Sequence, residues 1–149
     1  MSLDASAAVD IVAIQQLIAR FANSFDAKDW RALGECLADE LHADYSDLRG
    51  TPPETLSRAR FVELRRSALE ALQTHHLSGN VAVGLGRETA EASVSMAIYR
   101  RAASGETFDT HCLYTFGVER VAGRWVIRSI VQKVLLNQGD ARIHTGVVP

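Results

Sequence analysis

The sequence predicts an α+β domain, with N-terminal helices packed on one face of a strongly bent antiparallel sheet. Three observations carry that reading. Apolar residues near the start recur at helical spacing, residues from His75 onward alternate with period two, and the turns between the alternating runs contain glycine.

The first helix rests on Ile14, Leu17, Ile18, Phe21, Ala22 and Phe25, which share one helix face. Asp29 is placed to cap a short second helix running through Trp30, Leu33 and Leu37. Glu40 to Leu48 reads as a strand, and Gly50-Thr51-Pro52-Pro53 breaks the pattern as a loop. Ser57 is an N-cap for a third helix with Phe61, Leu64, Ala68 and Leu72 on one face. The arginines on or beside it, Arg58, Arg60, Arg65 and Arg66, read as a solvated face. Three alternating runs follow: Leu77, Val81, Val83 and Leu85; Ala90 to Ile98; and Phe108 to Val118. Trp125 to Leu136 makes a last strand. Gly86-Arg87-Glu88, Ser104-Gly105-Glu106 and Ala122-Gly123-Arg124 punctuate the hairpins.

With 149 residues and no linker or repeat, one domain over 1–149 is expected, with residues 1–5 and 140–149 as flexible ends and His144 in a mobile tail. Sixteen Lys+Arg against 18 Asp+Glu give a net charge of −2, and no basic run offers a nucleic-acid surface. No run approaches the ~18 consecutive apolar residues of a membrane span, and the start lacks a signal-peptide pattern. Cys36 and Cys112 fit no metal spacing and are expected as free thiols in a cytoplasmic protein. An apolar second sheet face carrying Val94, Met96, Ile98, Tyr114, Phe116 and Val118 is too extensive to leave in water. It points to a homo-oligomer, a dimer or a trimer.

Chemistry concentrates on few residues. If the first helix continues past Phe25, Asp26 follows Ile18 and Ala22 onto the apolar stripe, and its carboxylate then needs a hydrogen-bonding or cationic partner. If the helix ends at Phe25, Asp26 is a solvated terminus residue. His76 shares strand parity with Ser78 and Asn80, and His111 with Asp109, Leu113 and Thr115. Both sit on mixed-polarity faces, which line either a partly polar cavity or solvent. Tyr45 shares a face with Leu41 and Ala43 and brings a phenol to a pocket or its rim. Phe21, Phe25 and Trp30 read as core residues able to border a substrate. Asp26, His76 and His111 are the residue types of a metal triad, but no HxD or HExxH spacing supports one, so no metal is expected. Glycine-rich phosphate loops and GxSxG are absent from the sequence.

The run from Ser24 through Leu33 (SFDAKDWRAL), continued to His42-Ala43-Asp44-Tyr45, resembles scytalone dehydratase and its SnoaL-like relatives. Thr74-His75-His76-Leu77-Ser78-Gly79, Thr110-His111-Cys112 and Gly123-Arg124-Trp125 follow in the same order, and the likeness spans residues 14–138. The resemblance implies the cone-shaped NTF2-like roll, in which a bent sheet encloses a pocket. By motif it implies Asp26, His76 and His111 as catalytic residues with Tyr45 as a pocket tyrosine, and no cofactor. Ser129 or Gln132 would correspond to polar residues of the last strand. Phe25 stands where the dehydratase has a second tyrosine, so half of the phenolic grip on a substrate carbonyl is missing.

The function expected is a cofactor-independent dehydratase or isomerase acting on a small cyclic hydroxy-ketone or polyketide-like substrate. In it, a histidine takes the proton α to the carbonyl, a second histidine or the same one returns a proton to the leaving hydroxide, an aspartate beside His111 favours its protonated form, and Tyr45 donates to the enolate oxygen. The alternatives are a non-catalytic ligand-binding module and the small subunit of a ring-hydroxylating oxygenase. Convergence of Asp26, His76 and His111 in one pocket separates the first reading from the second.

Overall fold

The structure is a computed structural model that describes residues 4–144. Of the expected flexible ends, residues 1–3 and 145–149 lie outside the described residues. Asp4 caps α1 (Ala5–Ala27), accepting a hydrogen bond from the Ala7 amide at 2.7 Å. Lys28 ends that helix in the left-handed conformation, and Asp29 caps α2 (Trp30–Glu35). β1 (Leu37–Asp44) starts and stops earlier than the alternation suggested, because Tyr45 opens a single helical turn, α3 (Ser46–Arg49). The short edge strand β2 (Glu54–Ser57) has no sequence signal of its own, and Ser57 then caps α4 (Arg58–Leu69).

Four long strands complete the chain: β3 (Gln73–Leu85), β4 (Thr89–Arg101), β5 (Thr107–Val121) and β6 (Arg124–Gly139). The six-stranded sheet has the order β2-β1-β6-β5-β4-β3. It is mixed rather than wholly antiparallel, because β1 reaches β6 from across the helices and pairs with it in parallel. Contrary to the expectation of a flexible end, the chain after β6 turns through a 3₁₀ segment (Ala141–Ile143) and buries His144.

One face of α1 covers the concave side of the sheet. Ile14, Leu17, Ile18, Phe21, Ala22 and Phe25 are buried there, and Phe21 meets Phe116 edge-on at 5.3 Å. By length and composition α1 is apolar enough to cross a membrane, but the sheet already covers its apolar stripe. The residues expected to form an interface face, Val94, Met96, Ile98, Tyr114, Phe116 and Val118, are all buried in this core. Their alternation marks the inner surface of the cone, so they offer nothing to a partner. The large apolar side chains left in water on the strands include Leu77, Tyr99, Leu113, Leu135 and Leu136. Register places Leu77, Ala97, His111 and Leu136 in one row across the convex face.

A bulge decides which residues of β3 face inward. Gly79 pairs with Ser95 and Ala82 with Ser93, so β3 carries one residue more than β4 over this stretch, and Asn80 takes up the excess at φ 49°. Parity reverses there. Before the bulge Thr74, His76 and Ser78 turn inward and Leu77 outward; after it Val81, Val83 and Leu85 turn inward.

Candidate active site

Because α1 runs two residues past Phe25, Asp26 lies in its last turn, directed toward β3. Its carboxylate accepts three hydrogen bonds. The Thr74 hydroxyl donates to Oδ1 at 3.0 Å, the His76 amide to Oδ2 at 2.7 Å, and the His76 ring lies with Nδ1 2.7 Å from Oδ1. Lys28, at the helix end, donates to the Leu69 carbonyl at 2.9 Å and to Thr74 at 3.4 Å, tying α1 to the end of α4 and to the start of β3. Phe25 stacks on the His76 ring, with centroids 4.8 Å apart and planes 20° from parallel. The side chain of His76 is 5% exposed and that of Asp26 is 21% exposed.

Burial and hydrogen bonding pull on each group of the pair in opposite directions. Burial pushes the Asp26 carboxyl upward, but the hydrogen bonds and charge of His76, with Thr74, outweigh it and hold the group below the usual carboxylate range. His76 is lowered from its ordinary value, mainly by burial, against the opposing pull of Asp26. The pair at neutral pH is therefore a carboxylate and a neutral imidazole. Nδ1 carries the proton that Asp26 accepts, and the lone pair lies on Nε2, which has no hydrogen-bond partner among the described residues. The carboxylate thus orients a ring that burial keeps neutral, although its own pull on the imidazole favours the protonated form.

His111 does not join them. Thr110 and Cys112 face the interior, so His111 between them lies on the convex face, where its ring meets Tyr99 at 6.1 Å. The mixed polarity that His76 and His111 share has two origins. At β3 it reflects a polar patch inside the cone; at β5 it reflects solvent. Ser129 is also displaced from the site. It pairs with Gly117 on the outer face, where a Cβ at Gly117 would collide with its hydroxyl.

Gln132 faces inward, 1% exposed, and donates to the Tyr114 hydroxyl at 3.0 Å. Tyr45 is buried, its ring 6.2 Å from that of Tyr114, and burial keeps its phenol protonated by raising its pKa. Tyr45 also borders a cavity of about 430 Å³ shared with Ala43, Arg49, Glu54, Leu64 and Arg65. That cavity is not lined by Asp26 or His76. Phe21 belongs to the core, and Trp30 closes over Phe25 at 6.4 Å while its indole donates to Glu70 at 2.6 Å.

A family model described as the SnoaL-like domain matches residues 6–131. The chain belongs to that family. A scytalone dehydratase-like protein of Aspergillus aculeatus, AacuK, is 25% identical to this SnoaL-like domain over 146 residues, which cover 88% of this chain and 82% of AacuK. The scytalone dehydratase-like protein claB of Passalora fulva is 40% identical over 58 residues, a match spanning 39% of this chain and 36% of claB. The fold recurs in Kfla4162 of Kribbella flavida, with a TM-score of 0.87 at 21% identity over 92% of this chain and 97% of that one. It also recurs in the hexachlorocyclohexane dehydrochlorinase LinA-type3 of Novosphingobium barchaimii, with a TM-score of 0.76 at 15% identity over 95% of each chain.

Sequence reasoning missed residues inside this SnoaL-like domain. Arg65 is 7% exposed rather than solvated, and Arg100 on β4 is 4% exposed. The signal for Arg65 was available, since it follows Phe61 by four residues and precedes Ala68 and Leu69 by three and four, on the buried face of α4. Arg100 shares parity with Met96 and Ile98 and points into the cone with them. It donates to the Thr110 hydroxyl at 2.9 Å and to the Phe108 carbonyl at 3.3 Å.

Proposed function

We propose that this protein is a cofactor-independent lyase or isomerase in which His76 is the general base and Asp26 positions it. The observation that carries the reading is the 2.7 Å contact between Asp26 and Nδ1 of a buried, neutral His76. A base poised below neutrality with its lone pair fixed on Nε2 suits removal of a proton α to a carbonyl. The substrate class is a small cyclic hydroxy-ketone or a polyketide-like compound. His76 takes the α-proton, and electrons move into the carbonyl to form an enolate whose oxygen the protonated Tyr45 phenol stabilises. The enolate then expels the β-hydroxyl, which leaves as water with the proton returned from Nε2; stopping at the enolate and returning the proton elsewhere is isomerisation. With His111 outside the cone, one imidazole handles both transfers, so the proton and the hydroxyl leave from one face of the ring. The names of the relatives, scytalone dehydratase-like and dehydrochlorinase, support elimination chemistry.

A small cyclic β-hydroxy-ketone bearing a ring carboxylate, in deuterated buffer, tests this. Wild type is expected to exchange the α-proton or release water, and His76→Gln to do neither while keeping its fold. Equal rates in the two proteins would overturn the reading. The position of His111 and a cavity that stops short of the dyad favour a second reading, a ligand-binding module, in which neither protein exchanges the proton yet both bind the ring.

A further inference from the structure

Three arginines enter the cone from three elements, and among the described residues no carboxylate is hydrogen-bonded to any of them. The Arg65 side chain makes no hydrogen bond among the described residues. Its guanidinium lies 4.8 Å from the Tyr45 ring and 5.2 Å from that of Phe61, and its Nε is buried without a partner. Arg49 stands 5.7 Å from Tyr45 with both Nε and Nη2 buried and unpartnered. Arg100, anchored by Thr110 and Phe108, leaves its own Nε unpartnered. Glu54 on Arg65 and Asp109 on Arg100 act only at a distance.

Burying a guanidinium without its hydrogen bonds is costly, and burying like charges near one another costs more. Burial, with a smaller push from neighbouring arginines, lowers Arg49 and Arg100 to about 10, and burial alone lowers Arg65. Stacking on Tyr45 and Phe61 offsets part of the cost for Arg65 but fills none of its N–H positions. Arg49 and Arg65 both line the cavity of about 430 Å³ beside Tyr45, a space large enough for a ring compound.

We infer that the substrate carries a carboxylate, which docks between Arg49 and Arg65 at the Tyr45 end of the interior. The identification as substrate, rather than ligand, rests on the function proposed above. Guanidinium forks match a planar carboxylate through paired N–H donors. The rest of the lining, including Ala43, Leu56, Leu64 and the two prolines, suits an aromatic or alicyclic ring. Glu54 on the same lining repels a dianion more than a monoanion, which favours a carboxylate over a phosphate.

The test is calorimetric titration of the full chain with 2-naphthoate, its neutral isostere 2-naphthamide, and 2-naphthyl phosphate. Naphthoate is expected to bind about ten- to a hundredfold more tightly than the amide, the range for charge-assisted hydrogen bonds at a buried site. Arg65→Met and Arg49→Met should each erase most of that preference while amide binding stays unchanged, and Arg65→Lys should recover part of it. Equal binding of acid and amide, no binding of the acid, or a preference that survives both methionine variants would overturn the proposal; tighter phosphate binding would overturn the choice of carboxylate. His76→Gln should keep the preference for the acid. If His76→Gln also keeps full turnover, the dyad mechanism fails while the anion site stands.

Discussion

Replacing Asp26 with asparagine changes one atom and forces a choice among the three hydrogen bonds of the carboxylate. Oδ1 accepts from both Thr74 and the His76 ring, and Oδ2 accepts from the His76 amide. An asparagine that keeps its oxygen at the Oδ1 position turns its NH₂ against the His76 amide. That leaves a partly buried backbone donor unsatisfied, at a cost of about 1–3 kcal/mol. The opposite orientation keeps the amide bond, lets the Thr74 hydroxyl rotate to accept, and presents NH₂ to Nδ1. Nδ1 must then be the acceptor, so the ring proton moves to Nε2, the atom that the mechanism needs unprotonated. The second arrangement is the cheaper one, and it disables the base without moving a heavy atom. A wrong-tautomer histidine in a comparable aspartate-supported site loses about 10⁴ in turnover, and a positioned general base contributes about 10²–10⁴. Asp26→Asn should therefore lower kcat by at least about a hundredfold, with KM little changed because Asp26 acts through His76 rather than on substrate. The ¹⁵N shifts of His76 should report protonation moving from Nδ1 to Nε2. A variant within about tenfold of wild type, or one whose tautomer is unchanged despite lost activity, would refute the reasoning.

Four further outcomes follow from the structure. His76 is lowered below its ordinary pKa of about 6.5, so kcat/KM should hold through neutrality and fall only on the acid side; a profile that falls as pH rises through 7 would contradict a neutral-imidazole base. The unfolded imidazole binds its proton at higher pH than the folded one, so protonation favours unfolding and Tm should decline as pH drops below about 6.5, a decline that His76→Gln should reduce. His111→Ala should leave turnover unchanged, because the side chain lies on the opposite face of the sheet from Asp26, and a large loss would restore it to the mechanism. Leu113→Lys places a charge among the exposed apolar side chains of the convex face and should lower the mass seen by light scattering if that face joins copies of the chain; an unchanged oligomer moves the interface elsewhere.

The sequence made the large elements legible because their signals are local and repeated. The stripe from Ile14 to Phe25, the caps Asp29 and Ser57, and the alternation from Ala90 to Val118 each state a period or a hydrogen bond that the chain satisfies within a few residues. What alternation does not state is which of two faces is inside. For β4 and β5 the apolar face is the inner one, so Val94 and Tyr114 belong to the core rather than to an interface, and His111 lies half-buried on the outer face. Asn80 hides a change of parity in the middle of an otherwise regular strand, so Leu77 and Val81 share a parity on paper and opposite faces in the fold. Arg65 reads as solvated by residue type alone, whereas its spacing from Phe61 and Ala68 places it on the buried face.

The extra residue at Asn80 gives one strand two separate duties. Ahead of it, β3 presents Thr74, His76 and Ser78 to the interior; behind it, the same strand contributes Val81, Val83 and Leu85 to packing. Substitutions in the first segment can retune reactivity while leaving the hydrophobic contacts of the second in place. A one-residue deletion at the bulge would force a uniform strand, turning either the histidine or the valines out into water. Mutational tolerance along β3 should therefore change character at a single position, with function lost upstream and folding lost downstream.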